Sequence, residues 1–300
     1  MLKGLRASPE GNIKFLEVSS FKKPQIGLAF SPGAQFFLKQ HPELVDYIEI
    51  PFEVLRHDPS LISIQDLVPI ILHCASMSIA GFIPPTIDTL ETIEREAYRT
   101  RTPWIGEHLA FITADPLEEK GKDDSASAIS LSYTVCPQFS EATLQNTCSN
   151  VAALQGRLQI PLIIENSPQY FIIPGSTMSI VDFMVEFYRM CNVGLLLDLT
   201  HFMISSINMG FDPYKEVERL PLERVVEIHI SGFSMQSGIA WDDHSRTASE
   251  QVFKLLEQVL RRAQPQALTF EYNWSPIIAD QMLASQITRV REMMPESCYV

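Results

Sequence analysis

Short runs of apolar residues alternate along the chain with longer segments in which apolar residues recur at helical spacing. This alternation is typical of βα units that build a parallel sheet. The apolar runs predict strands at Gln25–Phe30, Tyr47–Ile50, Val68–His73, Trp104–Phe111, Pro161–Asn166, Gly194–Asp198, Val225–Ile230 and Ala267–Tyr272. The periodic segments predict helices that include Thr86–Thr100, Ser140–Gly156, Ser179–Met190, Ser249–Ala263 and Ile278–Met293.

Eight strands joined by crossover helices predict an α/β protein, a single (β/α)8 TIM barrel with its functional site at the carboxyl ends of the strands. An open, doubly wound sheet is the alternative architecture. The sequence lacks G-x-G-x-x-G after the first strand, and it also lacks G-x-x-x-x-G-K-[ST] and G-x-S-x-G. Since these motifs mark the nucleotide and hydrolase sites of many open sheets, their absence favours the barrel.

Two segments fall outside this pattern. Residues 1–24 are expected to form an N-terminal extension, and residues 25–300 are expected to form the barrel domain. Thr113 to Ser132 are charged and rich in serine, and they predict a long loop after the fourth strand. No internal repeat or linker divides the remaining chain.

Composition and charge restrict the possible partners. Hydrophobic residues make up 46% of the 300 residues and charged residues 20%, as in a globular enzyme. The formal net charge of -13 argues against nucleic-acid and anionic-membrane partners. The five cysteines are widely spaced with no C-x-x-C pair, and the N-terminus carries no apolar signal. We therefore expect a soluble protein of the cytoplasm.

The predicted strand ends carry a concentration of ionisable side chains and one amide. They carry His73, Glu107, His108, Glu165, Asn166, Asp198, His201, His229 and Glu271, and Asp242, Asp243 and His244 follow the seventh strand. Because the carboxyl ends of barrel strands share one mouth, these side chains are expected to converge. Carboxylates brought together repel one another, and divalent cations are the simplest compensation, with imidazole and carboxylate as natural ligands. The sequence therefore predicts a multinuclear metal site.

Several residues allow more than one interpretation. A single histidine at a strand end is often structural, but of seven histidines only His41 and His57 lie in turn-like contexts. Asp242 is preferred over Asp243 as a ligand because it forms a D-x-H pair with His244. Glu49 and Glu53, near the second strand, could reach the mouth, but acidic residues after a strand are usually solvated. Asn166 is expected to hydrogen bond the substrate or to orient a ligand, unless it caps a βα turn.

The strings HCASMSIAG, GEHLAF, LIIEN, LLLDLTHFMISSINMGFDP, EIHISGF, DDHS and TFEYNW occur in this order between residues 73 and 274. They resemble the multinuclear non-haem iron-dependent oxidases that modify ribosomally made peptides, the MbnB/TglH/ChrH group. The resemblance covers about residues 25–295 and implies a xylose-isomerase-like TIM barrel. One difference from the group is that Asn273 lies where relatives often carry an acidic residue.

The resemblance also implies a ligand set and a chemistry. It places His73, His108 and Glu165 around one metal, Glu165, Asp198, His229 and Glu271 around a second, and His201, Asp242 and His244 around a third. It implies two to three iron ions as Fe2+ or Fe3+, although zinc or manganese also suits these ligands. His229, Glu271 and Asn166 are the expected catalytic residues. The implied partners are a precursor peptide that is oxidised at cysteine, O2, and a small protein that binds the leader peptide.

The same order of ligand types is similar to that of trinuclear-zinc endonuclease IV and of other xylose-isomerase-like enzymes. A DNA phosphodiesterase is expected to present a basic surface, which a net charge of -13 disfavours. A sugar isomerase would need a lysine or histidine acting beside the metals, and no lysine ends a predicted strand. A metal store is disfavoured because it does not need a barrel mouth with open coordination positions.

Overall fold

The fold is seen in a computed structural model that describes residue 21 and residues 23–114, 129–272 and 279–294. Its strands are β1 (Gln25–Ala29), β2 (Tyr47–Pro51), β3 (Ile70–Cys74), β4 (Ile105–His108), β5 (Phe111–Ala114), β6 (Ile129–Val135), β7 (Leu162–Glu165), β8 (Gly194–Asp198), β9 (Val225–Ile230), β10 (Ser234–Gln236), β11 (Ile239–Trp241) and β12 (Ala267–Phe270). Its α-helices are α1 (Pro32–Gln40), α2 (Phe52–His57), α3 (Ile87–Thr100), α4 (Glu141–Arg157), α5 (Ile180–Met190), α6 (Leu199–Met209), α7 (Pro213–Glu216), α8 (Glu250–Leu260) and α9 (Asp280–Met293).

Eight of the strands close into a barrel in the order β1-β12-β9-β8-β7-β4-β3-β2, and every neighbouring pair is parallel. The predicted TIM barrel is therefore confirmed, and each predicted strand supplies one barrel strand. The remaining strands form two antiparallel hairpins, β5–β6 and β10–β11, which extend from the carboxyl end of the barrel.

Two sequence predictions at the fourth strand need correction. The run Trp104–Phe111 is not one strand, because β4 ends at His108 and Phe111 begins β5. The Leu109 amide donates to the Glu165 carbonyl at 2.8 Å and the Ala110 amide to the His108 carbonyl at 2.8 Å, which turns the chain out of the barrel. The predicted loop 113–132 is in part the hairpin β5–β6, while residues 115–128 lie outside the described part.

The helices begin where side chains can cap them. Thr86, Ser140, Ser179 and Ser249 were predicted as first helical residues, and each is instead the residue before its helix. Their hydroxyl oxygens accept a backbone N–H from the first turn, which satisfies a donor that the helix itself leaves free. None of the helices in the described part is long and apolar enough to cross a bilayer.

The barrel interior is filled in layers. At the amino-terminal end, a floor of inward side chains consists of Tyr47, Ile71, Trp104, Ile163, Leu196, Val226 and Ala267. Phe21 packs edge-on against Trp104 with ring centroids 5.6 Å apart. It is the part of the predicted extension that the structure places beside the floor, and the extension's extent, residues 1–24, stays a prediction. The larger apolar core lies between the outer faces of the strands and the helices.

Candidate metal centre

The strands place a polar layer directly above the floor. Residues two apart along a strand face the same side of the sheet. Tyr47, Ile71, Ile163 and Leu196 face the barrel interior at the floor, so the residue two positions after each of them faces the interior as well. The ionisable residues that enter this layer from the strands, or in the case of Glu271 from the position after β12, are Glu49, His73, His108, Glu165, Asp198, His229 and Glu271. The site therefore results from the alternation of inward and outward side chains at the carboxyl ends of the barrel strands.

The first group surrounds one oxygen of Glu165. Its Oε2 lies 3.0 Å from His73 Nε2 and 3.2 Å from His108 Nε2. The other ring nitrogen of His108, Nδ1, lies 3.2 Å from the Cys74 carbonyl, to which it donates. Because a neutral imidazole carries one N–H, this contact leaves the lone pair of Nε2 turned toward Glu165.

The second group shares Glu165 through its other oxygen. Glu165 Oε1 lies 3.5 Å from His229 Nδ1, and Glu271 Oε1 lies 3.4 Å from the same nitrogen. Asp198 completes a set whose ligand atoms all lie within 4.8 Å of one another. Asp198 Oδ1 is engaged by the His201 amide at 2.6 Å, which leaves Oδ2 for the group.

The third group lies toward the mouth. His201 is in the first turn of α6, and its Nδ1 donates to the Asn166 carbonyl at 2.9 Å while Nε2 lies 2.9 Å from Asp242 Oδ2. His244 Nε2 lies 2.8 Å from Asp242 Oδ1 and 3.8 Å from Glu271 Oε2. His244 has a φ of 50°, a left-handed conformation that costs free energy for a residue with a Cβ. Strain of this kind concentrates at functional sites.

Three other residues near the centre have different surroundings. The Asn166 amide donates to the Asp198 carbonyl and accepts from the Asp198 N–H, both at 2.9 Å, so that it joins the ends of β7 and β8. This is a positioning geometry, and its expected catalytic role stays a prediction. Asp243 accepts from Ser245 in its own loop, and Glu107 faces away from the barrel axis, where it accepts from the Met77 and His108 amides.

Sequence reasoning missed two carboxylates in the interior. Glu49 was expected to be solvated, but it is 2% exposed and lies 3.2 Å from His229 Nε2. Glu227 is fully buried below His229 and accepts from Tyr47 at 2.9 Å, Trp104 at 2.7 Å and Thr269 at 2.8 Å. The signal in the sequence was a glutamate inside an apolar run, YIEIP and VVEIHI, which is costly to bury unless it has partners.

The unpaired atoms of the centre fit metal ions. Among the described residues, the buried side-chain atoms without a hydrogen-bond partner are Glu165 Oε1, Asp198 Oδ2, His229 Nδ1, Ser231 Oγ, Asp242 Oδ1, His244 Nε2 and Glu271 Oε2. All but Ser231 Oγ belong to the three groups described above. Buried polar atoms are almost always paired, so such a concentration of carboxylate oxygens and imidazole nitrogens is the donor set expected for divalent cations.

The ionisation of the centre supports the same interpretation. The ion pairs that its carboxylates form with described residues are all with histidines. Burial, with Glu271 and Glu165 nearby, raises the pKa of Asp198 to about 7. Burial alone would lower the pKa of His73, but Glu49 and Glu165 outweigh it and raise that pKa to about 10. Divalent cations would instead hold the carboxylates ionised and the imidazoles neutral.

Comparison with known proteins identifies the family. The sequence profile of the family described as "RiPP precursor modification enzyme MbnB/TglH/ChrH" matches residues 25–294. The chain belongs to the MbnB/TglH/ChrH family. It is 27% identical over 266 residues to a UPF0276 protein of Caulobacter vibrioides, with 87% of this chain and 91% of the relative covered. A UPF0276 protein of Paraburkholderia phytofirmans is 30% identical over 241 residues, with coverage of 76% and 74%.

Solved structures with the same barrel include sugar epimerases. A D-allulose 3-epimerase from Methylomonas sp. superposes with a TM-score of 0.57 at 14% identity, covering 92% of this chain and 99% of that chain. A D-tagatose 3-epimerase-like protein gives a TM-score of 0.55 at 14% identity, with coverage of 89% and 96%. At this identity the likeness shows the fold alone. Family and fold together indicate an enzyme that binds metal, and the described residues offer candidate metal sites.

In this member of the MbnB/TglH/ChrH family, the centre opens into a cavity of about 530 Å3. Its lining consists of His108, Tyr133, Thr134, Val135, Cys136, Ser167, Pro168, Tyr170, Phe171, Ile173, His201, Trp241, Asp242, His244 and Glu271. The Tyr170 and Trp241 rings stack with centroids 4.6 Å apart and planes at 27°. The described lining contains no lysine or arginine. Aromatic side chains form much of the cavity wall, and the third ligand group lies at the base of the cavity.

Proposed function

We propose that the protein is a multinuclear iron-dependent oxidase that modifies a cysteine of a ribosomally made precursor peptide, with O2 as the oxidant. The observation that carries this proposal is the set of unpaired buried ligand atoms at the base of an aromatic cavity, in a chain of the MbnB/TglH/ChrH family. In this reaction the cysteine is oxidised and O2 is reduced. Ferrous ions supply open coordination positions and electrons for O2 chemistry.

We assign the ligand side chains to three metal positions. We assign His73, His108 and Glu165 to one ion, and Asp198, His229 and Glu271, with Glu165 as the bridge, to a second. We assign His201, Asp242 and His244 to a third, with Glu271 Oε2 also near His244. The backbone carbonyls of Cys74 and Asn166 hold the rings of His108 and His201 so that Nε2 of each faces the centre.

The cavity wall is suited to a peptide segment. Tyr170 and Trp241 offer a stacked aromatic surface, and Tyr133 and Phe171 are exposed at the rim. Such surfaces bury apolar side chains and exclude water from a site below them. The lack of described cationic residues in the wall disfavours a phosphodiester or a sugar phosphate as the substrate. A small protein that binds the leader peptide is part of this proposal as the partner.

The test combines metal analysis with oxygen uptake. Protein purified without oxygen should contain two to three iron ions per chain and should consume O2 when a cysteine-containing precursor peptide is present. His229→Ala should abolish uptake, while Trp241→Ala should weaken binding of the peptide and keep the metal content. Less than one metal ion per chain would refute the proposal, and zinc with cleavage of abasic DNA would indicate an endonuclease IV-type enzyme instead.

A further inference from the structure

Glu49 is a buried carboxylate beside the centre that belongs to none of the three ligand groups. It is the third residue of β2, two positions after Tyr47 of the interior floor, and it is 2% exposed. Its Oε2 crosses the barrel to lie 3.2 Å from Nε2 of His229 on β9. A carboxylate is costly to bury unless it has a partner, so the contact with His229 is what makes the burial of Glu49 possible.

The two nitrogens of His229 face different surroundings. Nδ1 has no hydrogen-bond partner in the part of the chain that the structure describes, and it faces Glu271 and Glu165 at 3.4 and 3.5 Å. Nε2 faces Glu49, with Glu227 farther away at 3.6 Å. Because an ionised carboxylate only accepts hydrogen bonds, the proton of a neutral imidazole belongs on Nε2, and the lone pair of Nδ1 is then directed at the second ligand group.

Glu227 does not compete strongly for this proton. Its carboxylate already accepts from the Tyr47 hydroxyl, the Trp104 indole N–H and the Thr269 hydroxyl. These donors fix it below His229 as part of the floor. Among the described residues, Glu49 is therefore the carboxylate within hydrogen-bond distance of Nε2.

We infer that Glu49 is a positioning residue of the metal centre, which accepts the Nε2–H of His229 and thereby directs Nδ1 at the second ion. This inference rests on the metal centre of the proposed function and not on its oxygen chemistry. Carboxylates that hold the outer N–H of a metal-bound histidine fix both its tautomer and its ring orientation, and their loss commonly weakens metal binding about 10- to 100-fold.

Direct ligation by Glu49 is the competing arrangement. Glu49, His73 and His229 offer three ligand atoms within 4.8 Å of one another. An ion held there through Nε2 of His229 would need the proton on Nδ1, which would remove Nδ1 from the second group. His73 also directs Nε2 at Glu165, at 3.0 Å. The positioning role satisfies both rings, whereas direct ligation leaves the second group without its imidazole.

The first experiment measures Fe2+ binding without oxygen, in competition with a chelator, for the wild type, Glu49→Gln and Glu53→Gln. Glu53 is the matched control because it accepts from the Ala75 amide and the Ser76 hydroxyl and contacts no ligand histidine. Glu49→Gln should bind one ion about 10- to 100-fold more weakly and the others normally. Glu53→Gln should match the wild type. Unchanged affinity of every ion in Glu49→Gln would overturn the inference.

The second experiment detects the proton itself. In the Co2+-loaded wild type, proton NMR should show a hyperfine-shifted, exchangeable N–H signal that is missing in His229→Gln and altered in Glu49→Gln. Direct ligation by Glu49 predicts that the His229 signal comes from Nδ1–H instead of Nε2–H, which 15N-labelled histidine distinguishes, and that result would also overturn the inference. Glu49→Asp keeps the charge but is one methylene shorter, so it should show an intermediate loss of affinity if Glu49→Gln does not fold.

A third measurement separates positioning from general support of the fold. Glu49→Gln breaks a buried contact with His229, so the metal-free variant should unfold at a lower urea concentration than the wild type. A purely structural role predicts this loss of stability alone, with every ion bound at the wild-type affinity. If the wild type itself binds no metal, the proposed function fails. If it binds metal and Glu49→Gln binds equally well, only the present inference fails.

Discussion

At the scale of single residues, Gly106 leaves the space that the His73 ring occupies. A Cβ at this position of β4 would lie 2.7 Å from Cδ2 of His73, closer than real Cβ contacts. Gly106→Ala should therefore displace the His73 ring, weaken the first ion and destabilise the fold by about 1–3 kcal/mol. Metal content after dialysis against a chelator and urea unfolding measure the two effects.

Gly156 is the matched control for this substitution. It lies near the end of α4, and a Cβ there would meet nothing within 4 Å. Gly156→Ala should keep the metal content and raise stability by about 0.5–1 kcal/mol, because alanine is the better helix former. Normal metal retention in Gly106→Ala would show that His73 has room to move.

Glu165 has a different importance because its two oxygens serve different groups. Oε2 contacts His73 and His108, whereas Oε1 lies 3.4 Å from His201 Nδ1 and 3.5 Å from His229 Nδ1. Glu165→Ala should lose two ions, since both would lose a negative ligand. Glu49→Ala should weaken only one. Elemental analysis that finds equal metal content in the two variants would contradict the bridging role.

At the scale of elements, Asp198 is the N-cap of α6 and also a proposed metal ligand. Oδ1 accepts from the His201 amide at 2.6 Å, while Oδ2 is unpaired. Asp198→Asn keeps a capping oxygen but loses the charge, whereas Asp198→Ala loses both. Both variants should bind the second ion weakly, and only Asp198→Ala should lose about 0.5–2 kcal/mol of stability in the metal-free protein.

Ser179→Ala provides the control for the cap alone. Ser179 caps α5 by accepting from the Asp182 amide at 3.0 Å, away from the centre. This variant should lose a similar amount of stability and retain all of its metal. Chemical unfolding of the metal-free forms and elemental analysis of the loaded forms distinguish the two contributions. Full metal content in Asp198→Asn would mean that the charge of Asp198 is dispensable.

The boundaries of elements show where pattern reasoning is accurate. Two strands have the predicted bounds, Gly194–Asp198 and Val225–Ile230. In both cases the apolar run in the sequence has the same length as the strand. The fourth strand was predicted too long because Leu109 and Ala110 are as apolar as strand residues. Only the backbone hydrogen bonds to Glu165 and His108, which come from other parts of the fold and from the turn itself, end β4 there.

At the scale of the whole molecule, metal binding should be linked to pH. Burial alone would lower the pKa of His73 and His244, but facing carboxylates raise these pKa values to about 10 and about 9 in the metal-free protein. Their stabilising contribution to that state is complete below the ordinary pKa of 6.5 and is lost as pH rises through about 9 to 10.

Metal uptake at pH 7 should therefore release protons, because imidazole binds a metal only in its neutral form. Affinity should increase as the pH rises from 6 to 8. Calorimetry in buffers of different ionisation enthalpy measures the protons released per ion. A binding enthalpy that is independent of the buffer would show that the histidines are already neutral before the metal binds.

The sequence by itself determined the barrel and placed most residues of the candidate metal centre at its mouth. Alternating βα patterns and polar residues at strand ends are local properties, and the carboxyl ends of barrel strands must share one mouth. His73, Glu165 and Asp198 could therefore be placed together although they are far apart along the chain. The family resemblance added the grouping of the ligands, which stays a prediction. The geometry brings the first two groups together, and at the mouth it brings His201 and His244 together with Glu271, while Asp242 contacts both histidines.

Only the tertiary structure decided which carboxylates serve the interior and how the histidines are oriented. A glutamate in an apolar run can face solvent or the barrel axis, and Glu49 and Glu227 were assigned inward by strand register and by partners on the opposite wall. The tautomer of His201 likewise depends on a carbonyl at Asn166, 35 positions away in the chain. These features depend on distances across the closed barrel, which local sequence patterns do not encode.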